Sequence, residues 1–161
     1  MRRLPAIAIA LLVGALLAGC GEGGAADGAT VRVYLSAPMR GAEAAAGRRL
    51  CDEAREAAAR GSGEAGLKLR VVCLDASGPG GEWTLARVGA NARRTTEDSS
   101  AIAYVGEPDP KARRQSRPIV AAAGIAELGG VRGREAIAQI LAAIRQGDAS
   151  EPRQAVFDAQ G

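Results

Sequence analysis

The chain has 161 residues, enough for one modest domain, with 21 lysines and arginines against 18 aspartates and glutamates and no histidine. The missing histidine removes the Ser-His-Asp and Cys-His nucleophilic arrangements, the usual general base and the commonest metal ligand, so no enzyme, metal site or cofactor is expected. Four aromatic residues in all offer no stacking platform for single-stranded bases, and nucleic acid is not an expected partner.

The first predicted element is an export segment. Met1-Arg2-Arg3 supplies a positive start, Leu4 to Leu17 an apolar run, and Leu17-Ala18-Gly19 a small-residue approach to Cys20. The run falls short of the roughly 20 apolar residues of a membrane-spanning helix and carries Pro5 near its start. The tetrad Leu17-Ala18-Gly19-Cys20 resembles the lipobox of bacterial lipoproteins. That resemblance implies removal of residues 1–19 and a diacylglycerol on the Cys20 sulfur, which would tether the chain to the extracytoplasmic face of the cell membrane. Arg2 and Arg3 leave with the segment, so 19 basic residues face 18 acidic ones and the basic isoelectric point loses its weight. Residues 20–30, small or acidic after the cysteine, read as a flexible tether.

Thr30 to Ser36 alternates Val31, Val33 and Leu35 on one face and predicts a strand, ended by Ala-Pro-Met-Arg-Gly. Ala42 to Arg60 predicts a helix with Leu50, Cys51, Ala54, Ala57 and Ala58 on its apolar face. Gly61-Ser62-Gly63-Glu64-Ala65-Gly66 has the letters of a dinucleotide-binding loop in the wrong context. It closes a helix and leads into a strand, so it reads as a helix stop and turn. Leu67 to Leu74 predicts the second strand, followed by the Asp75–Gly81 loop, which lacks a Gly-Lys-Ser/Thr ending. Thr84 suits the N-cap of a helix reaching about Asp98, with Leu85, Val88, Ala92 and Thr95 at helical spacing.

Ala101 to Val105 reads as a strand buried on both faces. Pro108 and Pro110 exclude a helix before Lys111, a short helical turn follows, and Pro118 to Ala123 reads as a fourth, weaker strand. Gly133 to Gln146, with Ile137, Ile140, Leu141 and Ile144 on one stripe, is the clearest amphipathic helix. Ser150 and Pro152 suit the start of a last short helix that has Val156 and Phe157 to bury. The alternation predicts an α/β fold: three layers, a mostly parallel sheet flanked by helices, with ligands expected beyond the strand C-termini at the switch in strand order.

Asp75, Glu107 and Asp109 stand at strand ends, where carboxylates can converge on a cation or amino group and where they can equally face solvent. Cys51 and Cys73, 22 residues apart on neighbouring elements of an exported chain, are either a disulfide or two buried thiols.

The segments VRVYLSAPMRG, GRRLCDEAREAA, LRVVCLDAS and WTLARVGANARRTTEDSSAIAYVGE resemble the solute-binding proteins of branched-chain amino-acid ABC importers, the type I periplasmic-binding-protein family. The resemblance runs from 31 to 125, and GREAIAQILAAIRQGDASEPRQAVFDA resembles the region near that family's C-terminus that returns to the first lobe. It implies a single lobe over 31–161, made of a 31–125 core and returning helices in 131–161, with the second lobe missing. It also implies a small-molecule solute such as an amino acid, a permease partner, and solute contacts from the 36–41 and 106–116 loops. The candidate binding residues are Ser36, Met39, Asp75, Glu107 and Ser116. The other reading is a lipoprotein interaction module or a degenerate remnant that binds no solute.

Overall fold

The computed structural model describes residues 30–160. The export segment, Cys20 and nearly all of the tether lie outside the described residues. The elements in chain order are β1 (Thr30–Ala37), α1 (Ala44–Gly61), β2 (Lys68–Asp75), α2 (Leu85–Thr96), β3 (Ala101–Val105), α3 (Pro110–Ala121), β4 (Ala126–Leu128), α4 (Gly133–Gln146) and α5 (Pro152–Asp158). Among the described residues no helix is long and apolar enough to cross a membrane.

The four strands form one parallel sheet in the order β2-β1-β3-β4, so the strand order switches direction between β1 and β3. Because side chains alternate along a strand, β1 serves two cores at once. Val31, Val33 and Leu35 enter the larger one with Cys51, Ala54 and Ala58 of α1, Ile137, Ile140 and Ile144 of α4, and Val156 of α5. Tyr34 enters the other with Leu74, Ala92, Tyr104, Val120 and Ile125, under α2 and α3. All five residues of β3 are buried, as a central strand covered on both faces requires.

Small residues let the layers close up. Gly133 opens α4 against the backbone of α1 so closely that a side chain there would collide with the Leu50 carbonyl. Asp98, just past α2, accepts hydrogen bonds from Arg32 (2.9 Å), Tyr34 (2.7 Å) and Ser100 (2.7 Å) and pins the entrance of β3 to β1. On the same edge the Arg153 guanidinium of α5 donates to the carbonyls of Ala101 (2.7 Å) and Ser99 (2.6 Å).

Three expectations are corrected. Residues 118–123 are not a strand: α3 runs on through Pro118 to Ala121, and the fourth strand is Ala126–Leu128. Asp109 caps this helix by accepting from the Lys111 amide at 2.7 Å, Pro110 fits its first turn, and Ala112, Ser116 and Val120 form its buried stripe. That burial outweighs the one backbone hydrogen bond Pro118 cannot donate. Leu85, placed by spacing on the apolar face of α2, stands 53% exposed. The last helix is entered from Glu151, while Ser150 hydrogen-bonds Asp148 instead of capping it.

Cys51 of α1 and Cys73 of β2 are joined as a disulfide, with Cα atoms 6.1 Å apart. It links the edge strand to the helix that covers it. Closing a loop of this length stabilises a fold by about 3 kcal/mol. The Cys51→Ser, Cys73→Ser double variant is therefore expected to lose that amount in urea unfolding monitored by circular dichroism, and the unaltered chain to lose it on reduction.

Candidate functional site

The switch point between β1 and β3 places Ser36, Gly106 and Glu107 together at the C-terminal edge of the sheet, where parallel α/β sheets bind ligands. Glu107 does not face solvent. It is fully buried and accepts a hydrogen bond from the Ser36 hydroxyl, which in turn accepts from Asn91 Nδ2 of α2 at 2.8 Å. Two residues inward of Gly106, Tyr104 pairs in register with Glu127 of β4. Glu127 accepts from the Ser116 hydroxyl of α3 at 2.7 Å, and Arg117 stands 3.8 Å from its other oxygen. Gly106 makes room for this: a side chain there would collide with the Glu127 carboxylate.

The cluster is electrostatically tense. Burial pushes the Glu107 carboxyl up to about 6 against a partial offset from the Ser36 hydrogen bond, and the nearby Glu127 pushes the same way. Burial also raises Glu127, offset by Ser116 and the arginines, and raises the Tyr104 phenol. Tyr104 Oη, Glu107 Oε2 and Glu127 Oε2 have no hydrogen-bond partner among the described residues.

Around this interior lies a rim of loops. Burial would raise the Asp75 carboxyl, but hydrogen bonds from Ser77, the Met39 amide (3.0 Å) and Arg40 Nε (2.7 Å) hold it well below the usual carboxylate range. Ser77 Oγ also accepts from the Met39 and Arg40 amides, both at 3.0 Å, so the loops after β1 and β2 are laced together. Their tips touch at Gly41 and Gly81, both with positive φ, where a side chain on either would come within 2.6 Å of the other's Cα. Arg113 bridges the remaining loops, donating to the carbonyls of Pro108 (2.6 Å) and Glu107 (3.2 Å) and lying along Gly129.

The carboxylates at the strand ends therefore do not converge. Asp75 ties two loops, Glu107 turns inward and Asp109 caps a helix. Of the expected binding residues, Ser36, Glu107 and Ser116 are enclosed, and Met39 and Asp75 are half-buried at the rim. Ser116 belongs to α3 and not to a loop, because the helix takes in everything from Pro110. Sequence reasoning missed Asn91, Tyr104 and Glu127. Asn91 had left a sign, since a polar residue three positions after Val88 falls on the buried stripe of α2.

The comparisons with known proteins bear on the fold. No protein-family model and no curated protein matches the sequence. Among solved structures, a leucine-binding protein from Thermotoga maritima superposes with a TM-score of 0.52 at 19% identity, covering 62% of this chain and 27% of that one. The fold is that of one lobe of a type I periplasmic binding protein. A protein from Rhodopirellula baltica described as a possible leucine/isoleucine/valine-binding protein gives a TM-score of 0.51 at 19% identity, over 62% of this chain and 26% of its own. The chain thus spans about a quarter of the length of the solved proteins it matches. Both are described as binding proteins and neither as an enzyme.

The buried Glu107 gives a pH signature whose sign is fixed. Its folded pKa of about 6 lies above the ordinary 4.5, so the folded chain holds the proton more tightly than the unfolded one. The stability it contributes is complete below pH 4.5 and is lost as pH rises through 6, a change of about 2 kcal/mol. Urea unfolding of the unaltered chain and of Glu107→Gln, compared from pH 4 to pH 7, is expected to show the variant gaining that amount relative to the parent as pH rises.

Proposed function

We propose that the protein is an extracytoplasmic solute-binding lipoprotein of the amino-acid importer type, reduced to one lobe and held to the membrane through Cys20. The observation that supports this best is the superposition of its four-stranded parallel sheet on one lobe of branched-chain amino-acid-binding proteins. The solute site in this reading is the rim over the switch point. Met39 offers an apolar contact, the Asp75–Arg40 pair holds the loop that carries it, and the enclosed Ser36, Glu107 and Ser116 form the polar floor. A permease is the partner, and the second lobe is absent between Leu128 and Gly133, where the chain passes from β4 to α4 in four residues. A single lobe supplies half the enclosure of a two-lobed binder and no hinge to close, so affinity in the millimolar range is expected.

A second reading, a lipoprotein that binds no solute, is favoured by one specific feature. The Ser36 hydroxyl already donates its one proton to Glu107 and accepts from Asn91, leaving no proton to offer a ligand carboxylate without rearrangement. Calorimetric titration of the chain from Cys20 onward with leucine, isoleucine, valine and small amides separates the two. Heat and a thermal shift with one of them support the solute reading, and neither at millimolar ligand removes it.

The anchor is tested apart from the solute. Expressed with its export segment in a bacterium, the chain is expected to run in the membrane fraction with the mass of a diacylglyceryl-modified Cys20. Cys20→Ser is expected to abolish both the added mass and the membrane association.

A further inference from the structure

The charges are unevenly divided between the two helical layers. On one face of the sheet, α1 sets Arg48, Arg49, Arg55 and Arg60 against Asp52, Glu53 and Glu56. On the other, α2 and α3 pack side by side and contain no acidic residue at all. Arg87, Arg93 and Arg94 of α2 and Lys111, Arg114 and Arg117 of α3 are exposed there. Apart from Arg117, which faces Glu127, none of these six makes an ion pair among the described residues. These two helices thus present six exposed cations and no carboxylate of their own.

That surface also carries Leu85, the one exposed large apolar side chain among the described residues. It opens α2, while Arg93 and Arg94 end it. Arginine and lysine over an extended helical face, with an exposed apolar side chain among them, is the composition that favours an anionic lipid–water interface.

Position agrees with composition. The chain enters the domain at Thr30, ten residues after Cys20, and ten residues reach at most about 35 Å. The last turn of α2 ends beside that entrance: the Arg32 amide of β1 donates to the Ser100 carbonyl at 2.8 Å, four residues past the helix. With Cys20 acylated as proposed above, headgroups are therefore always within reach of this face, at a high effective concentration.

We infer that the α2–α3 face is a docking surface for anionic phospholipid headgroups, with Leu85 as its apolar foot. Docking this way lays the sheet alongside the bilayer and leaves the C-terminal rim open to the side.

The test uses the chain from Cys20 onward carrying Cys20→Ser, sedimented with vesicles of phosphatidylcholine alone or of equal parts phosphatidylcholine and phosphatidylglycerol. The chain is expected to partition onto the mixed vesicles only, and to be released by raising the salt concentration. Arg87→Gln, Arg94→Gln, Arg114→Gln should lower the partition coefficient by at least roughly tenfold. Arg49→Gln, Arg55→Gln, Arg134→Gln, with the same net charge but altered on the opposite layer, should leave it unchanged. Thermal melts check that both triple variants fold, and the lipid and salt dependence of the unaltered surface stands without them. Equal loss in both triples would mean that only net charge matters and would overturn the proposal. So would failure to bind the mixed vesicles, which would leave an acidic protein as the partner of this face. The Cys20→Ser chain carries no acyl group, so a negative result leaves lipid anchoring standing, and a failure of anchoring leaves the vesicle result intact.

Discussion

A parallel sheet must be covered on both faces, and here about 130 residues with hardly any aromatic side chains have to do it. Every helix placement follows from that constraint. β1 and β3 are central, so α1, α4 and α5 close one side and α2 and α3 the other. Small side chains fill little volume, and close packing is recovered by bringing backbones together. Gly133 against the Leu50 carbonyl and Gly47 against that of Pro38 are the contacts that achieve it.

The same constraint explains why the C-terminal edge holds charge inside. With the layers this close, the side chains of Glu107 and Glu127 have only the α2–α3 side of the sheet to occupy, and each is met there by a serine hydroxyl. A single hydrogen bond does not repay the desolvation of a carboxylate, which is why burial dominates both groups and Glu107 is pushed up to about 6. Asp75 and Asp98 show the opposite balance. Each collects several donors at a strand end, and both carboxyls are held well below the usual range despite partial burial. The C-terminal edge therefore combines an ionised carboxylate, Asp75, that fixes loops with two buried ones, Glu107 and Glu127, whose pKa values burial raises.

What the sequence made legible was whatever a short window decides. The boundaries of α4 came from the spacing of Ile137, Ile140, Leu141 and Ile144, and β1 and β3 from alternation and unbroken burial. The error at 118–123 came from reading the short apolar run that begins at Pro118 as a strand, when the deciding contribution was the burial of Ala112, Ser116 and Val120 against another layer. Leu85 failed in the reverse direction, its spacing being right for burial with no layer there to bury it. The polar cluster could not be read from any window. Ser36 and Glu107 are separated by 71 residues and meet only because β1 and β3 are neighbours in register.

Parallel topology also separates the two edges of the sheet in kind. All four strands run the same way, so the chain enters at one edge of the sheet and the rim of loops lies at the other, a β1 length of roughly 26 Å away. The entrance edge is held by Asp98 and by Arg153, whose side chains satisfy the Tyr34 hydroxyl and the Ala101 carbonyl. Structural polar chemistry thus gathers where the chain enters the sheet, and adjustable polar chemistry gathers at the far edge. Among the helices that run between these two edges, α2 and α3 alone carry one sign of charge, so the face they form differs electrostatically from the opposite one as well as from the rim.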